Sequence, residues 1–221
     1  MNFPADLFAP AWYWLALGLQ LGLLAAAIRL APWQRMRNPV QLNLWLGTVV
    51  SLMLLWSIRA GIRPGLGFHL LGASASTLML GPPLAFLAIT LVVLGNALSD
   101  NLELWSIPIN ALVMGAVPIA VTLGVLRIVE RWLPSHLFVY IFGAAFFGPA
   151  LAMVATGLAA SLLLGLSGVY PFEYLLSEYL PWFALMAWAE AFTTGAAITL
   201  MVVYLPGWVA TFDDSRYLRN K

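Results

Sequence analysis

The chain is written in long apolar blocks separated by short polar ones. Seven blocks stand out, at residues 11–30, 42–58, 69–80, 84–98, 109–126, 137–164 and 181–205. A bilayer core about 30 Å thick takes roughly 20 apolar residues of helix, and six blocks approach that length. The exception is 69–80, which is short, rich in small residues and closed by Gly81-Pro82-Pro83. It reads as a half-span or re-entrant segment, tolerated where protein surrounds its ends. The pattern predicts an all-α, polytopic membrane bundle of about seven segments. It forms one integral membrane domain over 1–221, with 1–10 as an outer N-terminal segment and 206–221 as a cytoplasmic tail.

The polar residues between the blocks set the orientation. Arg29, Arg35 and Arg37 follow the first block, Arg127 and Arg131 the fifth, and Arg216, Arg219 and Lys221 the last. Seven crossings put all of these on one side, which the positive-inside bias makes cytoplasmic. The opposite side keeps Arg59 and Arg63, together with Asp6, Asp100, Glu103, Glu173 and Glu178. Dropping the third block would place both termini on one face and spoil the asymmetry. The N-terminus is therefore expected outside, and His69 with it.

Ala25-Ala26-Ala27 resembles a signal-peptide cleavage site, but the first ten residues carry Asp6 and no basic side chain, the wrong flank for one. Met1 is expected to remain. Trp12, Tyr13, Trp14, Trp33, Trp45, Trp105, Trp132, Tyr170, Tyr174, Tyr179 and Trp182 sit near block ends, where an aromatic belt accounts for them.

Composition then narrows the chemistry. Apolar residues make up 62% of the chain and charged residues 9%, against about 25% charge in soluble domains. The net charge of +1 leaves no basic stripe for nucleic acid. The absence of cysteine removes disulfides, thiolate metal sites and iron–sulfur clusters. Lys221 is the sole lysine, so no phosphate-binding Gly-Lys-Ser/Thr loop exists. Any ATP hydrolysis belongs to partner subunits, and no permanently bound cofactor is expected.

Few residues remain that can do chemistry. His69 is either a metal ligand or a histidine bonded to a loop carbonyl at the membrane surface. His136, after Pro134-Ser135 on the cytoplasmic side, reads as a helix-start residue. Glu190 lies within the seventh block, where a carboxylate costs roughly 3 kcal/mol on insertion scales. It should face the interior, protonated, or bonded to Asn96, Asn110, Thr193 or Thr194, or lining an ion path. Asn96 and Asn110 flank the loop SDNLELWS. They either satisfy main-chain groups or hold a binding loop in place. Gly18, Gly22 and Ala26 recur every four residues, a spacing that lets another helix approach closely, from this bundle or from a partner. Ser74 and Ser76 raise an intramembrane serine hydrolase, although no Gly-x-Ser-x-Gly elbow and no HExxH pair occur.

Three stretches carry a family resemblance: FHLLGASASTLMLGPPLAFLAITLVVLGNALSD, SIPINALVMGAVPIAVTLGVLRIVERWL and AWAEAFTTGAAITLMVVYL. Together they resemble the substrate-binding membrane component of energy-coupling-factor (ECF) transporters for cobalt or nickel, over about residues 60–205. The resemblance implies a substrate-binding permease subunit of an ABC-type importer in the bacterial inner membrane. Its partners would be a transmembrane coupling component and cytoplasmic ATPases. Co2+ or Ni2+ would be its cargo. It also implies a metal site built from the terminal amine of Met1, the amide nitrogen of residue 2, an imidazole on residue 2, and the ring of His69. Four nitrogens in a plane suit Ni(II) or Co(II). This chain departs from the pattern, because Asn2 stands where the family carries histidine. An organic micronutrient as the substrate is the rival reading within the same family.

Overall fold

The protein is seen in a computed structural model that describes residues 2–61, 63–99 and 104–217. Helix α1 (Pro10–Leu30) and helix α2 (Pro39–Ser57) each begin on a proline. At that position the missing N–H is no loss and the ring's φ suits a helix. Asn38 caps α2 by accepting from the Val40 amide. A two-residue antiparallel hairpin follows, β1 (Ala60–Gly61) with β2 (Gly67–Phe68), pairing Ala60 with Phe68 and Gly61 with Gly67. His69 is the first residue after it.

Helix α3 (Ala73–Leu80) and helix α4 (Pro82–Ser99) meet at Gly81-Pro82. The fifth crossing joins α5 (Ile107–Ala111) to α6 (Val117–Trp132) through a π-helical turn at Leu112–Ala116. The sixth joins α7 (Leu137–Val139) to α8 (Gly148–Leu166) through Tyr140–Phe147, also π-helical. Short α9 (Phe172–Tyr174) leads to α10 (Trp182–Tyr204), and α11 (Asp214–Tyr217) closes the described chain. Six helical stretches are long and apolar enough to cross a membrane, and α3 is not among them.

The expected short third segment is therefore present as a buried half-length helix. Residues 69–72 of the predicted block are not helical. Seven of the eight α3 residues are buried, and eight residues rise only about 12 Å. The non-helical run before it supplies the remaining depth. Its start lies beside Trp56 and Glu190, and its last carbonyls, of Leu78 and Met79, accept from the Thr211 and Ala210 amides. Those carbonyls would otherwise be orphans of a helix end. The end of the bundle holding residues 2–9 is called upper below, and the end holding 206–217 lower. Segment 69–80 joins them, as the sequence requires of a third crossing.

Two apolar clusters fill the interior. The upper one gathers Phe3, Trp56, Leu71, Met114, Tyr179 and Phe183. The lower one gathers Leu44, Leu78, Leu80, Tyr140, Phe212 and Tyr217. Helices α1 and α2 lie at the rim with most of their apolar surface outward, as expected of helices whose solvent is lipid.

Candidate functional site

Residues 2–8 do not trail away from the bundle. They enter it. Phe3 is fully buried, and the Asn110 side chain grips its main chain from both sides. The Phe3 amide donates to Asn110 Oδ1 at 2.9 Å, and Asn110 Nδ2 donates to the Phe3 carbonyl at 3.0 Å. Asn110 Nδ2 also donates to the Ser106 carbonyl one helical turn back. A primary amide is the side chain with both a donor and an acceptor in the geometry that pairs with a peptide unit. Tyr13 extends the anchoring by donating to the Pro4 carbonyl and accepting from the Phe8 amide. Gly65, at φ +77°, lets the loop after α2 close over this segment, since a Cβ there would lie 2.7 Å from Leu7 Cδ2.

The inserted segment brings Asn2 to His69. The two line one small cavity of about 10 Å³, together with Trp56, Arg59, Val93, Asn96 and Met114. These residues come from the N-terminal segment, the end of α2, the loop after it, α4 and the π-helical turn. Met114 sits within that turn, where an extra residue shifts the helical register. Met1 lies outside the described residues.

His69 is 5% exposed. Its Nδ1 lies 2.9 Å from the Leu70 carbonyl. A carbonyl only accepts, so Nδ1 carries the proton and Nε2 is the nitrogen with the lone pair. The two expectations for His69, carbonyl-bonded or ligand, are therefore compatible. Histidines that bind metals commonly anchor their other ring nitrogen in this way. The Trp56 indole packs on the imidazole with ring centroids 4.8 Å apart.

The turn that follows is held at almost every polar main-chain atom. Trp56 Nε1 donates to the Leu71 carbonyl at 3.0 Å. The Leu71 and Gly72 amides donate to the two carboxylate oxygens of Glu190, each at 2.8 Å. Glu190 is 2% exposed, and these amides stand in for the side-chain partners expected from sequence. Gly72 has φ +62° and caps α3. A Cβ there would be 2.5 Å from Leu52 Cδ2, so glycine is needed both for the left-handed turn and for the approach of α2.

Other candidates fall elsewhere. Asn96 lines the cavity, whereas Thr193 donates to its own helix at the Ala189 carbonyl. Ser74 Oγ bonds Thr122 Oγ1, and Ser76 Oγ donates to the Gly72 carbonyl. Both hydroxyls bond structural partners, which leaves the serine hydrolase reading without support from the geometry. His136 accepts from the Phe138 amide as the cap of α7, the helix-start role expected of it. Gly18, Gly22 and Ala26 face outward, and a Cβ on either glycine would meet nothing within 4 Å. Packing within this bundle is not what the stripe serves. Tyr13 and Tyr179 belong to the buried core rather than to an interfacial belt.

Trp56, Val93 and Met114 were not picked out from the sequence as site residues, and Arg59 was named only for its side of the membrane. Trp56 and Arg59, in LWSIRA, carried a weak signal as a polar-tipped ring and a cation at the end of an apolar block. Val93 carried none, and Met114 only its place in the stretch SIPINALVMGAVPIAVTLGVLRIVERWL that carries the family resemblance. Among the described residues no three His, Cys, Asp or Glu side chains gather as a metal cluster.

A second, much larger cavity of about 660 Å³ lies between α2, α3 and α10. Gly72 and Glu190 line its upper part, and Asn43, Met201 and Trp208 its lower part. Neither Asn2 nor His69 lines it.

Comparison with known proteins agrees with this architecture. A crystal structure of a truncated transition metal transporter superposes with a TM-score of 0.79 at 17% identity, covering 92% of this chain and 99% of that one. A crystal structure of another transition metal transporter gives 0.78 at 17% identity, covering 91% and 92%. At that identity the likeness speaks for the fold. No curated protein sequence matches. The family profile described as "Cobalt uptake substrate-specific transmembrane region" (CbiM) matches residues 2–208. The chain belongs to this CbiM family of cobalt-uptake membrane components, and is a multi-pass membrane subunit of a metal-uptake transporter.

Proposed function

We propose that this chain is the substrate-binding subunit of an ECF-type ABC importer and captures Ni2+ or Co2+ at its upper end. The observation that carries the reading is the shared cavity of Asn2 and His69, about 10 Å³ in volume. That is the room of a single water or ion, far below the few hundred Å³ of small-molecule pockets. The His69 tautomer supports it, because the ring nitrogen left with a lone pair is the one not held by Leu70.

In this reading the Met1 amine, the Asn2 amide nitrogen and His69 Nε2 are ligands. Asn2 has no imidazole to give. The amides of Asn2 and Asn96 and the thioether of Met114 line the cavity and are the available substitutes. Asn110 contributes by seating the N-terminal segment. The arginine distribution supports a bacterial inner membrane with the upper end outside. The missing phosphate-binding loop leaves ATP hydrolysis to partner ATPases, joined through a transmembrane coupling component. The outward stripe of Gly18, Gly22 and Ala26 is a surface on which a partner helix could pack closely.

The test is thermal unfolding of the purified protein with Ni2+, Co2+, Mg2+ or no metal, in wild type and His69→Ala. A ligand at 100 times its Kd stabilises by about 2.7 kcal/mol. Wild type should gain with Ni2+ or Co2+ and not with Mg2+, and His69→Ala should lose the gain. A one-residue N-terminal extension should weaken binding as well. An organic micronutrient would instead belong in the 660 Å³ cavity. In that case metal would leave the melting temperature unchanged.

A further inference from the structure

Glu190 has no place in the ligand set just described, yet its carboxylate spends both oxygens on the turn that carries His69. We propose that Glu190 is a positioning residue for the metal site: it sets the His69 ring by clamping the Leu71 and Gly72 amides. This rests on the reading of His69 as a ligand and deepens it.

The argument starts from what supports the turn. Leu70 and Gly72 border the 660 Å³ cavity on one side, so apolar packing supports the turn only from the other side, where Leu71 is buried in the upper cluster. Packing anchors Leu71, and the peptide planes on the cavity side are set by hydrogen bonds. Three reach the turn from the bundle: Trp56 Nε1 to the Leu71 carbonyl, and the Leu71 and Gly72 amides to Glu190. A carboxylate accepting through both oxygens constrains two successive peptide planes at once, as a point contact does not. The Leu70 carbonyl is thereby placed to receive His69 Nδ1, which fixes both tautomer and ring direction. Trp56 closes the arrangement by holding Leu71 and packing on the imidazole. The cost of burying a carboxylate is thus tied to the imidazole that lines the small cavity. A side chain serving only stability could be replaced by an apolar one filling part of the neighbouring void.

The experiment uses the full chain in detergent and titrates Ni2+ and Co2+ against wild type, Glu190→Gln and Glu190→Asp. Glutamine offers a single acceptor oxygen, and its NH2 faces a donor. Groups that orient a metal ligand typically cost about 10- to 100-fold in affinity when removed, and Glu190→Gln should fall in that range. Glu190→Asp keeps both oxygens on a shorter stem and should fall between. At saturating metal, the visible absorption of the Glu190→Gln complex should move toward that of His69→Ala, as a displaced imidazole changes the ligand field. Wild-type affinity or a wild-type saturated spectrum in folded Glu190→Gln would overturn the proposal. Should that variant not fold, hydrogen exchange in metal-free wild type decides. Slow exchange of the Leu71 and Gly72 amides before any metal is added supports a turn set in advance by Glu190, and exchange as fast as in a free peptide overturns it. Wild type that binds neither ion sinks the metal reading itself, a result distinct from an unaltered Glu190 variant.

Discussion

The two ends of α3 are held by different partners. At its lower end the helix finishes among large side chains. Tyr140 packs against Phe212 and Tyr217, with ring centroids 5.1 Å away in each case, and its hydroxyl bonds Thr211 at 2.7 Å. At its upper end Leu71 is buried in the upper cluster, and the main chain of the turn is bonded by two side chains, Glu190 and Trp56. Side-chain packing spreads its contact energy over many atom pairs and favours no single direction. Hydrogen bonds to successive peptide units tolerate little displacement, because they depend on distance and angle. The contrast places side-chain clamps on the main chain beside the small cavity, and aromatic packing with main-chain pairing to residues 210–211 where the C-terminal chain folds back.

Substitutions can break this contrast. The largest effect is expected from Asn110→Ala. It leaves the buried Phe3 amide and carbonyl unpaired, at about 2–6 kcal/mol if each group costs about 1–3. Metal affinity should fall with stability, since the N-terminal segment loses its seat. Calorimetric titration and thermal unfolding of one sample would show both; affinity equal to wild type would separate the segment from the site. Gly72→Ala comes next. A left-handed φ costs a non-glycine residue roughly 1–2 kcal/mol, and Leu52 must also give way. Metal affinity should drop together with melting temperature.

Tyr140→Phe tests the other end. Loss of the bond to Thr211 should cost about 1 kcal/mol while leaving metal affinity unchanged, and a change in affinity would show that the two ends are coupled. The smallest effect belongs to Arg59→Gln. A guanidinium bordering the cavity disfavours a divalent cation, but this side chain is exposed and screened. An exposed charge interaction of up to about 1 kcal/mol corresponds to a rise in affinity of roughly two- to fivefold, most visible at low ionic strength.

Hydropathy and charge alone were enough for the architecture. A backbone in lipid must satisfy its hydrogen bonds within each segment, so every crossing has to announce itself as an apolar block. Block 69–80 was legible for the same reason, through its length and the Gly81-Pro82-Pro83 stop. His69 was visible because a histidine beside an apolar run is rare. Glu190 stood out because a buried carboxylate is costly, but not its partners, since a main-chain amide leaves no mark in the sequence.

Only the tertiary structure decided which groups meet. It brought Asn2, Trp56, His69, Asn96 and Met114 to one cavity from separate parts of the chain. It also turned Gly18, Gly22 and Ala26 outward. Neither follows from local pattern. Period and composition determine that a helix is buried in lipid or in protein. Which neighbour it faces depends on packing among all the helices at once, and the cavity exists only where that packing leaves room for one small guest.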